Sequence, residues 1–103
     1  MKVVINRCYG GFGVSEAVYK ELGLKWDGYG FLDNEDFGIF YDADYYAFRQ
    51  DPQLIAVIEK LGTEKASGSG SNLKIVDIPD DVDWYIRDYD GLEAVEEAHR
   101  TWL

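Results

Sequence analysis

The sequence predicts an α+β fold, with one small domain built on a mostly antiparallel sheet of about four to five strands and two short helices. Three observations predict it. The chain has 103 residues, which is one domain (1–103) and one core, with roughly two thirds of the unfolded surface buried. Short β-branched or alternating runs recur between glycines and prolines, as strands do. Two segments carry helical spacing between cap residues, and their unequal lengths fit a mixed sheet better than a doubly wound one.

Lys2 to Cys8 opens with a Val-Val-Ile run and is followed by glycines, which predicts a buried strand. Ser15 suits an N-cap and Gly23 a C-terminal stop, giving a helix from Ser15 to Leu22 with Val14, Val18 and Leu22 on one face. From Trp26 to Phe48 nine of 23 residues are aromatic, interleaved with acids and glycines. Phe37-Gly38-Ile39-Phe40-Tyr41 and Tyr45 to Arg49 read as strands there. Asp51-Pro52 starts a helix with N-cap and N1 residues in their favoured places, Leu54, Ile55, Ile58 and Leu61 form its apolar stripe, and Gly62 ends it. Residues 63–72 read as a flexible Gly/Ser loop, and Leu73 to Ile78 as a strand stopped by Pro79. Asp83 to Tyr89 is a further strand, and Asp90-Gly91 is the strongest hairpin signal in the chain. A short strand follows the turn, then an irregular or helical tail.

Aromatics make up 16% of the chain and the net charge is −10. A phosphate backbone needs a basic face, so direct nucleic-acid binding is excluded as an expectation. A lone thiol, Cys8, leaves no intrachain disulfide and points to a reducing compartment. No apolar run approaches the ~18 residues of a membrane span. The expectation is a soluble cytoplasmic protein with no membrane contact.

The charge is uneven. Residues 27–51 hold seven acids and one Arg, and residues 77–97 hold nine acids and one Arg. The bland reading of each run is a solvated surface. The sharper one is a negative face that docks on a basic partner, with Asp80, Asp81, Asp83 and Asp88 as its residues.

The most informative stretch is Asn6 to Ser15, which runs strand, glycine loop, helix start. Glycines let backbone N–H groups approach a ligand, and the helix start adds donors. Arg7 adds a fork suited to phosphate or carboxylate. The spacing is neither Gly-x-Gly-x-x-Gly nor a Walker loop, so a tight turn that needs glycine is the competing reading. The aromatic segment likewise reads as core, or as a stacking platform for a planar ligand. The ligand-binding reading comprises Arg7, Tyr9, Gly10, Gly11, Phe12, Gly13 and Ser15, joined by Tyr45 and Arg49.

No catalytic constellation stands out. Cys8 with His99 is one thiol and one imidazole without further signature. Asp33 to Gly38 begins like a calcium loop, but Phe37 occupies a ligand position and Asp44 replaces the closing Glu. The expectation is a non-enzyme with no cofactor and no metal.

Two strings, Val4-Ile5-Asn6-Arg7-Cys8-Tyr9-Gly10-Gly11-Phe12-Gly13 and Ile78-Pro79-Asp80-Asp81-Val82-Asp83-Trp84-Tyr85-Ile86, the latter continuing through Tyr89-Asp90-Gly91-Leu92-Glu93 to His99-Arg100-Thr101-Trp102, resemble a group of small acidic phage and prophage proteins. The resemblance covers about half of the chain and brings no catalytic residues. It implies a viral setting, the host cytoplasm, and a role against host defence. Two styles of such proteins are similar in outline: sponges that sequester a small nucleotide-like immune signal without turnover, and acidic inhibitors that imitate nucleic acid and block a defence nuclease or other basic protein. A homo-oligomer would let loops of two copies close over a small ligand.

Overall fold

The computed structural model describes residues 1–40, 46–97 and, for the backbone, 101–102. Strand β1 (Lys2–Asn6) pairs antiparallel with β2 (Leu73–Asp77), Lys2 opposite Asp77 and Asn6 opposite Leu73. Strands β3 (Tyr85–Tyr89), β4 (Leu92–Glu96) and β5 (Thr101–Trp102) form a second antiparallel sheet. Three α-helices accompany them: α1 (Glu16–Leu22), α2 (Pro52–Leu61) and the single turn α3 (Thr63–Ala66). None is long and apolar enough to cross a membrane.

The Val-Val-Ile run lies between two layers. Alternate residues of a strand face opposite sides. Val4 packs with Val14, Val18, Leu54, Ile58 and Leu73 on the helical side, whereas Val3 and Ile5 pack with Val76, Ile78, Ile86 and Val95 on the hairpin side. Burial on both faces explains why this run is continuously apolar.

The α+β class holds, but the strands form two sheets rather than one. The reason lies at Asn6. Its backbone N–H donates to the Glu93 carboxylate at 2.8 Å, where a continuous ladder would use a carbonyl. Beyond it, β1 and β4 are joined by one isolated bridge, Arg7 with Leu92. The expected pair of helices also becomes three, because Gly62 at φ 85° ends α2 and α3 starts immediately after it.

The start of the expected loop over 63–72 is therefore helical. Its remainder is tied down: the N–H of Gly68 donates to the carbonyl of Gly13 at 3.1 Å, and Ser71 Oγ donates to the same carbonyl at 2.7 Å. The expected strand from Phe37 is also absent through Phe40; Tyr41 lies outside the described residues. Asp33 and Asp36 form a reciprocal capping box that opens a 3-10 turn over Asn34–Phe37, and Gly38 closes it in the left-handed conformation. The expected strand over Tyr45 to Arg49 is likewise a 3-10 turn over Ala47–Gln50, with Tyr45 outside the described residues.

The tail expected to be irregular or helical instead returns as β5, Trp102 opposite Val95 and Thr101 opposite Glu96, whereas the cap of α2 and the hairpin turn are as expected. The Asp51 side chain accepts from the N–H groups of Gln53 and Leu54, and Pro52 occupies N1 of α2. Asp90 (φ 51°) and Gly91 (φ 89°) form the tight turn between β3 and β4, with Tyr89 opposite Leu92.

Candidate functional site

The site is built around a buried ion pair. Arg49 and Glu93 are 4% and 2% exposed, and bind through two parallel bonds, Nη1 to Oε1 at 2.7 Å and Nη2 to Oε2 at 2.9 Å. Nη1 also donates to the carbonyl of Val4 at 3.3 Å. The 3-10 turn that replaces the expected strand brings Arg49 inward, and β4 supplies Glu93. Arg49 Nε has no hydrogen-bond acceptor among the described residues. Aromatic faces surround the guanidinium instead, with its carbon 3.6 Å from the Phe12 ring centre and 5.1 and 5.3 Å from those of Tyr46 and Phe48.

Asn6 extends this network and is wholly buried. Its Nδ2 donates to the carbonyls of Cys8 and Gly91 at 2.7 and 2.6 Å, and its Oδ1 accepts from the N–H of Asn72 at 2.8 Å. One amide thus ties the glycine loop, the hairpin turn and the start of β2. Arg7 adds a bond from Nη1 to the carbonyl of Glu93 at 2.7 Å.

A cavity of about 420 Å³ opens above the ion pair, within the range of small-molecule sites of about 300–1,000 Å³. Phe12, Phe31, Tyr46 and Phe48 supply its rings, and Asp33, Glu35 and Asp88 its carboxylates, beside Arg49 and Glu93. Phe12 meets Phe48 edge to face at 5.8 Å, and Phe37 backs Phe48 in a stack at 6.0 Å. Phe31 is 64% exposed and stacks on Tyr29. The turn carrying these two rings is fixed by Asp27, whose carboxylate accepts from the backbone N–H groups of Tyr29, Gly30 and Phe31 and from the Tyr19 hydroxyl. These donors, Gly30 foremost, hold the Asp27 carboxyl below the usual carboxylate range.

Electrostatically the cavity is acidic. Four carboxylates face one guanidinium, a net of −3, and Glu93 already offsets Arg49. The acids come from both acid-rich runs: Asp33 and Glu35 from the first, Asp88 and Glu93 from the second.

The residues expected to bind a ligand are divided. Phe12 and Arg49 line the cavity. Tyr9, Gly10 and Gly11 line a separate shallow depression with Asp88, Asp90 and Gly91, so acids rather than bases face the glycine loop. The loop's glycines serve close packing. A Cβ on Gly10 would stand 2.5 Å from the carbonyl oxygen of Gly70, and one on Gly91 would collide with the backbone of Gly10 and Gly11. Three donors after the loop are engaged within the fold: Val14 N–H goes to Gly30, Ser15 N–H to Ala66, and Ser15 Oγ to the carbonyl of Lys65 at 2.7 Å. Gly13 is engaged through its carbonyl, as described above. Tyr45 lies outside the described residues.

The expected acidic partner face is divided too. Asp80 binds the Met1 amine at 2.6 Å, which holds its carboxyl low, and sits with Asp81 and Asp83 beyond the Lys2 end of β1. Asp88 caps the hairpin turn through a 2.7 Å bond from the N–H of Gly91, near the Asn6 end. The strand between these ends spans about 13 Å at ~3.3 Å per residue, more than one screening length of ~8 Å. The four carboxylates therefore do not form one cluster.

Cys8 is half-buried, and its proposed base His99 lies outside the described residues. No group of three His, Cys, Asp or Glu side chains among the described residues is placed to hold a metal. The sequence reading named the aromatic segment but missed which of its rings converge. The capping box Asp33-x-x-Asp36 was the local signal for the turn that positions Asp33 and Glu35. Glu93 had no local signal. In comparisons with protein-family models, with curated proteins and with solved structures, nothing matches this chain.

Proposed function

We propose that this protein is a non-catalytic binding protein that captures the planar base of a small nucleotide-like signal in the ring-lined cavity, in the cytoplasm and in a phage anti-defence setting. The observation that carries the reading is the convergence of Phe12, Phe31, Tyr46 and Phe48 on a 420 Å³ space whose floor is a fixed ion pair. Rings held by packing bind flat ligands at low ordering cost. The proposal moves the binding site from the glycine loop to this cavity. It includes self-association, so that a second copy covers the open side.

Calorimetry of the full chain against mononucleotides, cyclic dinucleotides and cyclic ADP-ribose isomers tests it. Binding of one class, with the ligand recovered unchanged after denaturation, is the expected result. Phe12→Ala and Tyr46→Ala should each weaken it about 5- to 150-fold, since stacking is worth ~1–3 kcal/mol per ring. A flat response across the panel refutes the reading.

A second reading is favoured by the acids of both runs at the cavity mouth. A basic protein partner could place an Arg or Lys side chain among the same rings as a cation–π contact. Association would then weaken steeply with salt. Asp33→Asn with Asp88→Asn would abolish it, whereas the same pair of changes would leave stacking of a neutral base largely intact.

A further inference from the structure

We infer that the cavity selects a base presenting an exocyclic amino group over one presenting a carbonyl there, and holds it with its phosphates turned away from the cavity. The inference rests on the base-capture reading above and adds the chemical class of the base.

The argument is one of donors and acceptors. The rim offers Asp33, Glu35 and Asp88, and a carboxylate can only accept. Asn34 Oδ1 already accepts from the N–H of Phe48 at 2.9 Å. The guanidinium that could have served an anion gives both terminal nitrogens to Glu93 and is covered by the Phe12 ring. The lining also holds two groups that can donate, the Tyr46 hydroxyl and the Asn34 amide, but the charged groups open to a ligand's edge are all acceptors. An amino group donates to them. A carbonyl oxygen sets lone pair against lone pair and offers the rim carboxylates no donor beyond the backbone N–H that Asp33 and Asp88 each already hold. A phosphate at the same rim meets a net charge of −3 among the lining residues, whose cation, Arg49, is bound to Glu93. Phosphate directed outward avoids that repulsion.

Sites built around buried polar groups discriminate by factors of 10⁴ or more. Asp33, Glu35 and Asp88 are exposed and keep access to water, so the factor here is smaller, on the order of tenfold.

The test compares adenosine, inosine and AMP on the full chain by calorimetry. Inosine replaces the exocyclic amino group of adenosine with a carbonyl. The expected result is adenosine about tenfold tighter than inosine, and AMP weaker than adenosine by a gap that closes as salt rises. Asp33→Asn combined with Glu35→Gln and Asp88→Asn, with the fold checked by circular dichroism, should erase both preferences while leaving inosine binding unchanged or improved, because an amide can also donate. Equal binding of adenosine and inosine overturns the inference and leaves base capture standing. Binding of none of the three, together with none of the cyclic dinucleotides or cyclic ADP-ribose isomers, overturns base capture itself.

Discussion

Replacing Glu93 by Gln keeps the volume of the side chain and a carbonyl that can still accept from the N–H of Asn6. What it removes is the counter-charge of Arg49, whose guanidinium is 4% exposed and bonded through both terminal nitrogens. Removing one member of a buried pair costs about 3–5 kcal/mol, most of it the desolvated charge left behind. The retained acceptor places Glu93→Gln near 3 kcal/mol. With a urea slope of about 1.5 kcal/mol per molar for a chain of this size, the unfolding midpoint should fall by about 2 M. The double variant Arg49→Met, Glu93→Leu removes both charges. It should be more stable than Glu93→Gln, losing mainly the Asn6 bond, about 1–3 kcal/mol. Urea titrations followed by tryptophan fluorescence measure the parent protein, Glu93→Gln, the double variant and its two components, Arg49→Met and Glu93→Leu. A midpoint shift under about 0.5 M for Glu93→Gln, or simple additivity of the single changes in the double variant, refutes the view that this pair is energetically coupled.

Gly91→Ala should cost about 3 kcal/mol or more, since it adds backbone collision to a φ of 89°, whereas Gly23→Ala at φ 73° with open space around it should cost about 1 kcal/mol; equal thermal shifts would refute the close-packing role of Gly91. Because Asp27 titrates below its unfolded value of ~3.9, its contribution to stability is present above about pH 4 and is lost as pH falls through the depressed value, so Asp27→Asn should flatten the acid limb of a stability–pH curve. Burial and then the bond to Asp27 push the Tyr19 hydroxyl upward, so stability should fall with rising pH above its unfolded value of ~10, and Tyr19→Phe should remove that slope in alkaline titrations. Cys8→Ser should preserve ligand binding, and loss of binding with a retained fold would argue for thiol chemistry.

Much of the fold was legible because its signals are local. Asp51-Pro52 and Gly62 bracket α2, and Asp90-Gly91 places the β3–β4 turn, each within a few residues of the structure it dictates. The stretch from Phe37 to Phe40 was misread as part of a strand because β-propensity at Phe37 and Ile39 was weighed above the capping residues that precede them. The candidate site was legible only in part. Phe12 and Arg49 lie on its wall, but the place expected for a ligand's anion on Arg49 is taken by the carboxylate of Glu93, 44 residues away. Pairing across that distance leaves no periodicity to read. The glycine loop showed the right residue type for the wrong reason, since its close approaches are to Gly70 and Gly91 rather than to an open anion site.

The pairing of β1 with β2 has a consequence for how the chain is made. The Val-Val-Ile strand leaves the ribosome well before its ladder partner, which begins at Leu73. In the interval the helical middle, rich in short-range contacts, can form, while β1 has no register to join. A short apolar β-branched strand waiting unpaired is a template for intermolecular pairing. The sequence brackets it with Lys2 and Arg7, two of the ten basic residues in a chain that has twenty acids. Charges flanking such a strand oppose aggregation. Once the hairpin arrives, those same two side chains are put to use in the finished fold, Lys2 on Glu59 of α2 and Arg7 on the carbonyl of Glu93.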